Sequence, residues 1–345
     1  MTAIETLERR VGANWASIRA ARAKTEEIVA QLGAALAGIH DSNCSVVVTG
    51  SLGRAEATGG SDADWVLLVD GPADPEHALL VRKIADHVSK VVSKDVGRTG
   101  TFGDIVASHE LVHYIAGTRD SNENLTRRIL LLLESRALTN ADVRERIIRK
   151  ILARYVIYDP PIRRGPVPLF LFNDIVRYWR TIASDYASKM WERSREGWGI
   201  RNIKLRFSRK LLYLGGLLTA LSGELFATHE LNRTESDEEY LHGLAELIRK
   251  QTDEAPLELV ARVALECEDD SVATDIFGSY DRFLEVLSDP VGRKHLDEVK
   301  FDDALVDPTY GSLREASHPF RRGVERLCFD AHPTLPKLFR NYGVF

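Results

Sequence analysis

The sequence is poor in cysteine and lacks any long apolar run. Its three cysteines, Cys44, Cys267 and Cys328, are scattered, and none forms a Cys-x-x-Cys pair, so the pattern disfavours both a disulfide framework and a zinc knuckle. Such sparse cysteines are typical of a reducing cytosol, where we expect this protein. The first thirty residues are charged throughout, so we expect no secretory signal. The apolar stretches, such as 211–221, are too short to span a membrane.

The charge of the chain also lacks a dominant sign. Its 345 residues include 46 Lys and Arg against 51 Asp and Glu, which gives a formal net charge of −5. This balance excludes a uniformly basic nucleic-acid coat, although a local basic groove remains compatible with it. Hydrophobic residues make up 44% of the chain, which is typical of a globular protein and excludes a disordered one. The length indicates about two domains.

The apolar pattern changes its period along the chain. It predicts one or two helices over residues 3–39, followed by three short strands at 45–49, 65–69 and 101–106. From about residue 121 the pattern is helical, apart from a proline-rich break near 159–168. We therefore predict an α+β protein. A small mixed-sheet unit would occupy residues 1–120, and a larger all-α domain would occupy residues 121–345.

The most informative segment joins the first two predicted strands. The first strand ends at Gly50-Ser51, a small polar loop follows, and Asp62-Ala63-Asp64 opens the second strand. Side chains alternate along a strand, so Asp62 and Asp64 face the same way. Carboxylates paired on one face suit hard divalent cations such as Mg²⁺. Gly50 lets a phosphate approach the backbone, and Ser51 offers it an N–H and a hydroxyl. The alternative is a plain strand–loop–strand connection with solvated aspartates.

This segment, VVVTGSLGRAEATGGSDADWVLLV, resembles the DNA polymerase β nucleotidyltransferase superfamily, whose signature is an apolar strand, Gly-Ser, a loop and Asp-x-Asp. It is most similar to the branch of the nitrogen-regulatory uridylyltransferases, in which an arginine follows the loop glycine as Arg54 does here. The resemblance covers roughly 44–115 and implies a polymerase-β-like nucleotidyltransferase core. It implies that Gly50 and Ser51 hold a nucleoside triphosphate, with Arg54 nearby.

The resemblance also implies the reaction and its cofactor. A hydroxyl would attack an NTP or dNTP and release pyrophosphate, with two Mg²⁺ or Mn²⁺ ions bound at the site. Asp62 and Asp64 would hold both metals. The family uses a third carboxylate on a later strand, and Asp104 in TFGDIV is our candidate, with Asp95 and Glu110 as weaker ones.

A second motif, HELVH, matches the zinc-protease pattern His-Glu-x-x-His. His109 and His113 would lie one turn apart on a helix, Glu110 would be the general base, and Glu134 would offer a third ligand. The pattern fixes only three positions, so chance matches are common. We favour two histidines on a packing helix after the third strand, and zinc hydrolysis stays open as an alternative.

Basic residues cluster within the helical part. Residues 171–210 contain ten basic side chains against four acidic ones, a local net charge of +6. Such a patch suits a triphosphate or a nucleic-acid backbone. Lys204, Arg209 and Lys210 are our candidates for phosphate contacts. The alternative is a solvated helix face that pairs with the acidic segment 234–270.

The C-terminal sequence LFRNYGVF places Tyr342 three residues from the end. Some antiphage nucleotidyltransferases that make DNA oligomers are thought to prime on protein, so the resemblance suggests Tyr342 as a priming hydroxyl. The alternative is a packed terminal aromatic. The acceptor remains open between a protein tyrosine, a nucleotide and a partner protein. Transfer to a partner protein would make the chain a protein-nucleotidylating regulator or a toxin–antitoxin component, with an effector protein as partner. A non-catalytic binding module is a further alternative.

Overall fold

The computed structural model describes six stretches of the chain, namely residues 1–39, 41–92, 102–158, 165–192, 197–234 and 236–343. Asp95, a weaker candidate for the third carboxylate, lies outside the described residues.

A four-stranded mixed sheet forms the centre of the N-terminal part. Its strands are β1 (Cys44–Val48), β2 (Trp65–Val69), β3 (Ile105–Ala107) and β4 (Arg136–Ala137), in the order β3-β2-β1-β4. β1 is antiparallel to both of its neighbours, whereas β2 and β3 are parallel. The β-branched runs of β1 and β2 favour this extended, buried geometry. The first two predicted strands are confirmed, and the third is shorter than expected.

Helices make up most of the remainder. Their bounds are α1 Ala3–Arg10, α2 Ala16–Ala35, α3 Gly50–Gly53, α4 Glu76–Val91, α5 Ser108–His113, α6 Asn122–Leu133, α7 Ala141–Val156, α8 Leu169–Glu192, α9 Trp198–Lys204, α10 Lys210–Ala220, α11 Ser222–Leu225, α12 His229–Arg233, α13 Asp237–Gln251, α14 Pro256–Ala264, α15 Asp270–Ala273, α16 Ser279–Ser288, α17 Pro290–Glu298, α18 Pro308–Arg326 and α19 Leu335–Tyr342. Within the described residues there are also π-helical turns at Leu205–Arg209, Thr274–Gly278 and Leu327–Ala331. The predicted α+β class, a small mixed sheet followed by a larger helical part, is confirmed.

The sheet separates two apolar layers. Val46, Val48 and Leu67 pack with helices α2 and α4 on one face, whereas Val47 and Val66 pack with α6 and α7 on the other. This division follows from the alternation of side chains along each strand. The second layer is continuous with the core of the helical part, which extends to α19.

Contacts across the sequence join the N-terminal helices to the helical part. α1 packs against α14, and α2 packs against α16. Trp15 stacks on Phe277 with ring centroids 4.9 Å apart. β4, which lies beyond residue 120, completes the sheet beside β1. The division at residue 120 stays a prediction, since the sheet itself includes a strand from the later part.

Several helices begin at proline. Pro256, Pro290 and Pro308 occupy the first positions of α14, α17 and α18, where a missing N–H costs nothing and the fixed φ suits a helix. Asp289 and Asp307 cap α17 and α18 through their side chains. Across the described stretches, no helix combines the length and the apolar character that a membrane span requires.

Candidate functional site

The Gly-Ser loop leaves β1 as a single helical turn, α3, directly against the Asp-x-Asp segment. The N–H of Thr49 donates to the carbonyl of Asp64 at 2.8 Å. Gly50 has a φ of +67°, which a side chain would strain, and a Cβ on it would stand 3.0 Å from Oδ2 of Asp64. Glycine is therefore required at this position both for its backbone conformation and for the close approach of Asp64.

Glu134, which follows α6, also contacts this turn and holds it in place. Its Oε1 accepts the N–H of Gly50 at 3.1 Å. Gly53 lies so close that a Cβ on it would be 1.7 Å from the carbonyl oxygen of Glu134. Glu134 is 2% exposed. The sequence suggested this residue only as a zinc ligand, and its role in holding the loop was missed.

Arg54 lies between two buried carboxylates. Its guanidinium donates to Glu56 at 3.0 Å and also to Glu134. The hydroxyl of Tyr280, from α16, donates to Glu56 at 2.6 Å. Burial alone would lower the pKa of Arg54, but Glu134 and Glu56 together raise it well above its ordinary value. Arg54 thus holds the loop in shape, and its predicted contact with substrate stays a prediction.

Asp62 and Asp64 line a cavity next to this loop. The pKa of Asp64 is raised to about 7, first by burial and then by the negative charge of Asp62. Two carboxylates that share a confined space repel each other unless a proton or a cation lies between them. Their oxygen donors are those that Mg²⁺ and Mn²⁺ prefer. The residues present therefore fit divalent cations of this kind.

Cationic side chains line the same cavity. Lys204 and Arg209 come from the end of α9 and the following π-helical turn, and Arg293 comes from α17. The pKa of Lys204 is lowered to about 8 by burial, while the charge of Asp62 opposes the shift. Nη1 of Arg209 stands 3.7 Å from Oε1 of Glu134. Lys210, the third predicted phosphate contact, does not line this cavity in the described part of the chain, and its role stays a prediction.

The π-helical turn explains why Lys204 and Arg209 both reach the cavity. Residues five apart in an α-helix point about 140° away from each other around the axis. A π turn closes hydrogen bonds between residues i and i+5, which brings such residues toward one face. Ser208, which is 2% exposed overall, lines the same cavity. The sequence pattern indicated helical structure here without any sign of a π-helical turn.

Arg293 was not predicted from the sequence. Its Nη1 donates to the hydroxyl of Thr58 at 3.0 Å. The guanidinium packs on Gly60, where a Cβ would lie 2.7 Å from Nε of Arg293. Arg293 also lines a neighbouring cavity, which shares Leu287 with the first one. The arginine was missed because it lies outside the basic segment 171–210, from which the candidate phosphate contacts were taken.

Asp104 does not join the carboxylate pair in this structure. It immediately precedes β3, its side chain is 61% exposed, and its Oδ2 stands 3.9 Å from Nη2 of Arg127. Among the described residues that line the cavity, Asp104 is absent. Its assignment as the third carboxylate stays a prediction. Glu110, the weaker candidate, is exposed on α5.

Tyr342 lies far from the cavity. Its hydroxyl donates to Glu224 at 3.4 Å. Glu224 follows the C-terminal end of α10, whereas Arg209 immediately precedes its N-terminal end, and the 11 residues of that helix span about 16 Å. A priming role, which stays a prediction, would require the tail to leave Glu224.

The HELVH motif forms α5 at the opposite edge of the sheet. β2 and β3 run in parallel away from the carboxylate pair, and α5 follows the far end of β3. His109 and His113 are exposed, and their rings lie 4.7 Å apart. Glu134 is buried against Gly50 at the near edge and does not complete a zinc site with them. Within the described residues, the histidines have no third ligand that would support zinc hydrolysis.

The raised pKa of Asp64 predicts how stability depends on pH and on metal. In the metal-free protein, folding favours the protonated carboxyl, so its contribution to the free energy of unfolding is complete below the ordinary pKa of 3.8 and is lost as the pH rises through about 7. A cation that binds the ionised carboxylate offsets this loss. We expect the rise in Tm caused by Mg²⁺ to grow between about pH 5 and pH 8.

Differential scanning fluorimetry at constant ionic strength, with Mg²⁺ or with EDTA, measures this dependence. The Asp64→Asn variant is the matched control, and its response to Mg²⁺ should be small and independent of pH. A rise in Tm of equal size at both ends of the pH range in the unaltered protein would contradict the prediction.

Comparison with known proteins agrees with this geometry. Residues 11–118 match the family model described as Putative nucleotidyltransferase DUF294. The match includes the Gly-Ser loop, the Asp-x-Asp pair and α5, and it ends before α6. A search of the curated proteins found no match. Residues 11–118 are thus similar to the putative nucleotidyltransferase domain that this family model describes.

Proposed function

We propose that this protein is a metal-dependent nucleotidyltransferase that transfers a nucleotidyl group from an NTP or dNTP to a hydroxyl and releases pyrophosphate. One observation carries the proposal: Asp62 and Asp64 line a single cavity together with Lys204, Arg209 and Arg293, beside the Gly-Ser loop. A cavity lined by both carboxylates and cations suits a substrate that is bound through both metal ions and phosphates.

Each part of the site has a distinct task in this proposal. Asp62 and Asp64 hold the divalent cations, which when bound supply the charge that activates a hydroxyl and stabilises pyrophosphate. Lys204 and Arg209 bind phosphate oxygens. The N–H of Gly50 is already donated to Glu134, so Ser51 offers the first free loop donors. Catalysis then rests on positioning and charge neutralisation, as is general for phosphoryl transfer.

The acceptor is the finer part of the proposal. The second cavity, which opens beside Arg293, is lined by Ile200, Leu287 and Pro290 and by the polar groups of Lys294 and Asp297. Such a mixed lining suits a nucleoside. We therefore favour a nucleotide acceptor and an oligonucleotide product, which would fit the antiphage role that the resemblance suggested. Transfer to Tyr342 or to a partner protein are the other outcomes.

The test is incubation of the purified protein with each labelled NTP and dNTP, with Mg²⁺ or Mn²⁺ and without added acceptor. Products resolved by size separate a cyclic dinucleotide, an oligomer and a labelled protein. Label on the protein that Tyr342→Phe removes would assign the tyrosine as acceptor. If no nucleotide gives a product, the incubation is repeated with an added cell lysate, which supplies candidate partner proteins. No label in any fraction, from protein with a normal melting transition, would contradict the proposed function.

Arg293 is expected to bind substrate phosphate and to leave the chemical step largely unchanged. Replacement by alanine removes a cation that Thr58 and Gly60 hold over the cavity, so we expect the KM for the nucleotide to rise about tenfold or more, with a smaller change in kcat. Initial rates across a range of nucleotide concentrations measure both constants.

The matched control is Arg282→Ala. Arg282 is half exposed on α16, where its contact is an ion pair with Glu285, and its loss should leave KM within about twofold of the unaltered protein. Equal losses of kcat and kcat/KM in Arg293→Ala, with KM unchanged, would assign Arg293 to the transition state and contradict a role in binding.

A further inference from the structure

Three side chains with different metal-binding atoms meet at the beginning of β1. Asp41 precedes the strand, Cys44 is its first residue, and His77 lies in the first turn of α4. A carboxylate oxygen, the thiol sulfur and an imidazole nitrogen from these residues all lie within 4.8 Å of one another. Asp41 and Cys44 are three residues apart in sequence, and His77 comes from a separate segment of the fold.

The cluster is largely enclosed. Cys44 is 3% exposed and His77 is 7% exposed, whereas Asp41 reaches solvent. Nε2 of His77 stands 4.0 Å from Oδ2 of Asp41, which is too long for a hydrogen bond. At this distance the carboxylate of Asp41 contributes little stabilisation to the buried imidazole of His77. The spacing does suit two groups that bind the same cation, and the partial exposure of Asp41 provides a path for its entry.

Backbone contacts hold the three residues in place independently of any metal. Oδ1 of Asp41 accepts the N–H of Asn43 at 2.8 Å, which fixes the carboxylate. The side chain of Asn140 donates to the carbonyls of both Asp41 and Cys44, at 2.6 and 2.9 Å. The N–H of His77 donates to the carbonyl of Asp74 at 3.1 Å. The site is therefore preformed by the fold.

We propose that Asp41, Cys44 and His77 bind one zinc ion, with water as the fourth ligand. Thiolate, imidazole and carboxylate are the donors that zinc takes at about 2.0–2.3 Å, and in a tetrahedron such donors stand roughly 3.3–3.8 Å apart. Movements on the order of 1 Å would bring the three donors to this spacing. The mixed sulfur, nitrogen and oxygen donors favour zinc over Mg²⁺, which prefers oxygen alone.

Binding requires the thiol of Cys44 to lose its proton. Burial and the nearby charge of Asp41 raise the pKa of this thiol to about 12 in the metal-free protein. Zinc replaces that proton, which passes to solvent. The negative charges of Asp41 and Asp74, which disfavour the free thiolate, attract the bound cation.

The zinc would be structural. Four residue steps along β1 separate Cys44 from Val48, which leads into the Gly-Ser loop, and this distance is about 13 Å. The ion would tie the segment before β1 to the first turn of α4, both at the edge of the sheet away from the nucleotide cavity. The proposal therefore does not depend on the proposed function.

The experiment measures zinc in the whole chain after exposure to zinc chloride and exhaustive dialysis. Inductively coupled plasma mass spectrometry should find about one zinc per chain in the unaltered protein and at least tenfold less in His77→Gln and Cys44→Ala. Replacing zinc by Co²⁺ should give the absorption of a thiolate-to-cobalt bond, and Cys44→Ala should abolish it. Zinc should also raise the Tm of the unaltered protein, and His77→Gln should remove that rise.

Matched controls identify which residues hold the metal. His87→Gln alters a partly exposed histidine on the same helix, and Cys328→Ala alters another buried cysteine; both should keep the zinc. A variant with His109→Gln and His113→Gln should keep it as well. Absence of zinc from the unaltered protein would overturn the proposal, and so would its retention in folded His77→Gln. Loss of zinc with the α5 double variant would assign the metal to the HELVH motif instead.

Discussion

Replacing Asp64 with asparagine is expected to lower metal-dependent nucleotidyl transfer by at least about a thousandfold and, at the same time, to raise the Tm of the metal-free protein. The two effects have one cause. Asp64 carries a negative charge in a confined space beside Asp62, where burial raises its pKa to about 7. Asparagine keeps the shape of the side chain, removes this charge and with it the ligand that the cation needs.

Kinetics with a labelled nucleotide and scanning calorimetry in EDTA measure the two effects on the same preparations. Asp62→Asn should give a similar loss of activity. Asp86→Asn, at an exposed position on α4, is the control and should change neither quantity. Activity that survives in the double variant Asp62→Asn, Asp64→Asn would remove the carboxylate pair from the mechanism. The same assay on Asp104→Asn tests the predicted third carboxylate.

Replacing Gly53 with alanine is expected to destabilise the fold by about 3 kcal/mol or more and to lower Tm by roughly 4 °C or more. The new Cβ would stand 1.7 Å from the carbonyl oxygen of Glu134. That carbonyl belongs to backbone, and the N–H of Glu134 donates to Leu130 at 2.9 Å, so rotation of a side chain cannot relieve the contact. The Gly-Ser turn must shift, and activity should fall with stability.

The matched control is Gly59→Ala, in the same loop. A Cβ at Gly59 meets nothing within 4 Å, so its effect should stay within about 0.5 kcal/mol. Chemical denaturation, followed by circular dichroism, measures both variants. Equal stability of the two variants would show that the contact between Gly53 and Glu134 does not constrain the loop.

The local part of the site could be predicted because its signals are close together in sequence. The β-branched residues before Gly50 and the apolar run after Asp64 each specify a strand. The loop between them is short, so the aspartates and the Gly-Ser turn had to lie near the same edge of the sheet. The fold class followed from the same change of period that marked the strands.

The rest of the site depends on pairs that are distant in sequence. Glu134 follows four leucines, and this single charge at the end of an apolar run was the available signal for a buried partner. Nothing in its neighbours indicates that it would reach Gly50 and Arg54. Arg293 lies outside the basic segment 171–210, and local charge says little about which side chains point into the cavity. Lys210 was predicted to contact phosphate together with Arg209, but it does not line the cavity in the described part of the chain. The helical pattern of the sequence gave no sign of the π-helical turn that precedes it.

The positions of Glu134 and of the cations in the cavity determine which fragments of this protein would contain the whole site. A fragment that ends with the family match at residue 118 would retain both carboxylates of the pair. It would lack Glu134 and every lysine or arginine of the cavity except Arg54. The matched segment is therefore not a transplantable module, because grafting it onto another helical partner would transfer the acidic half of the site without its basic half.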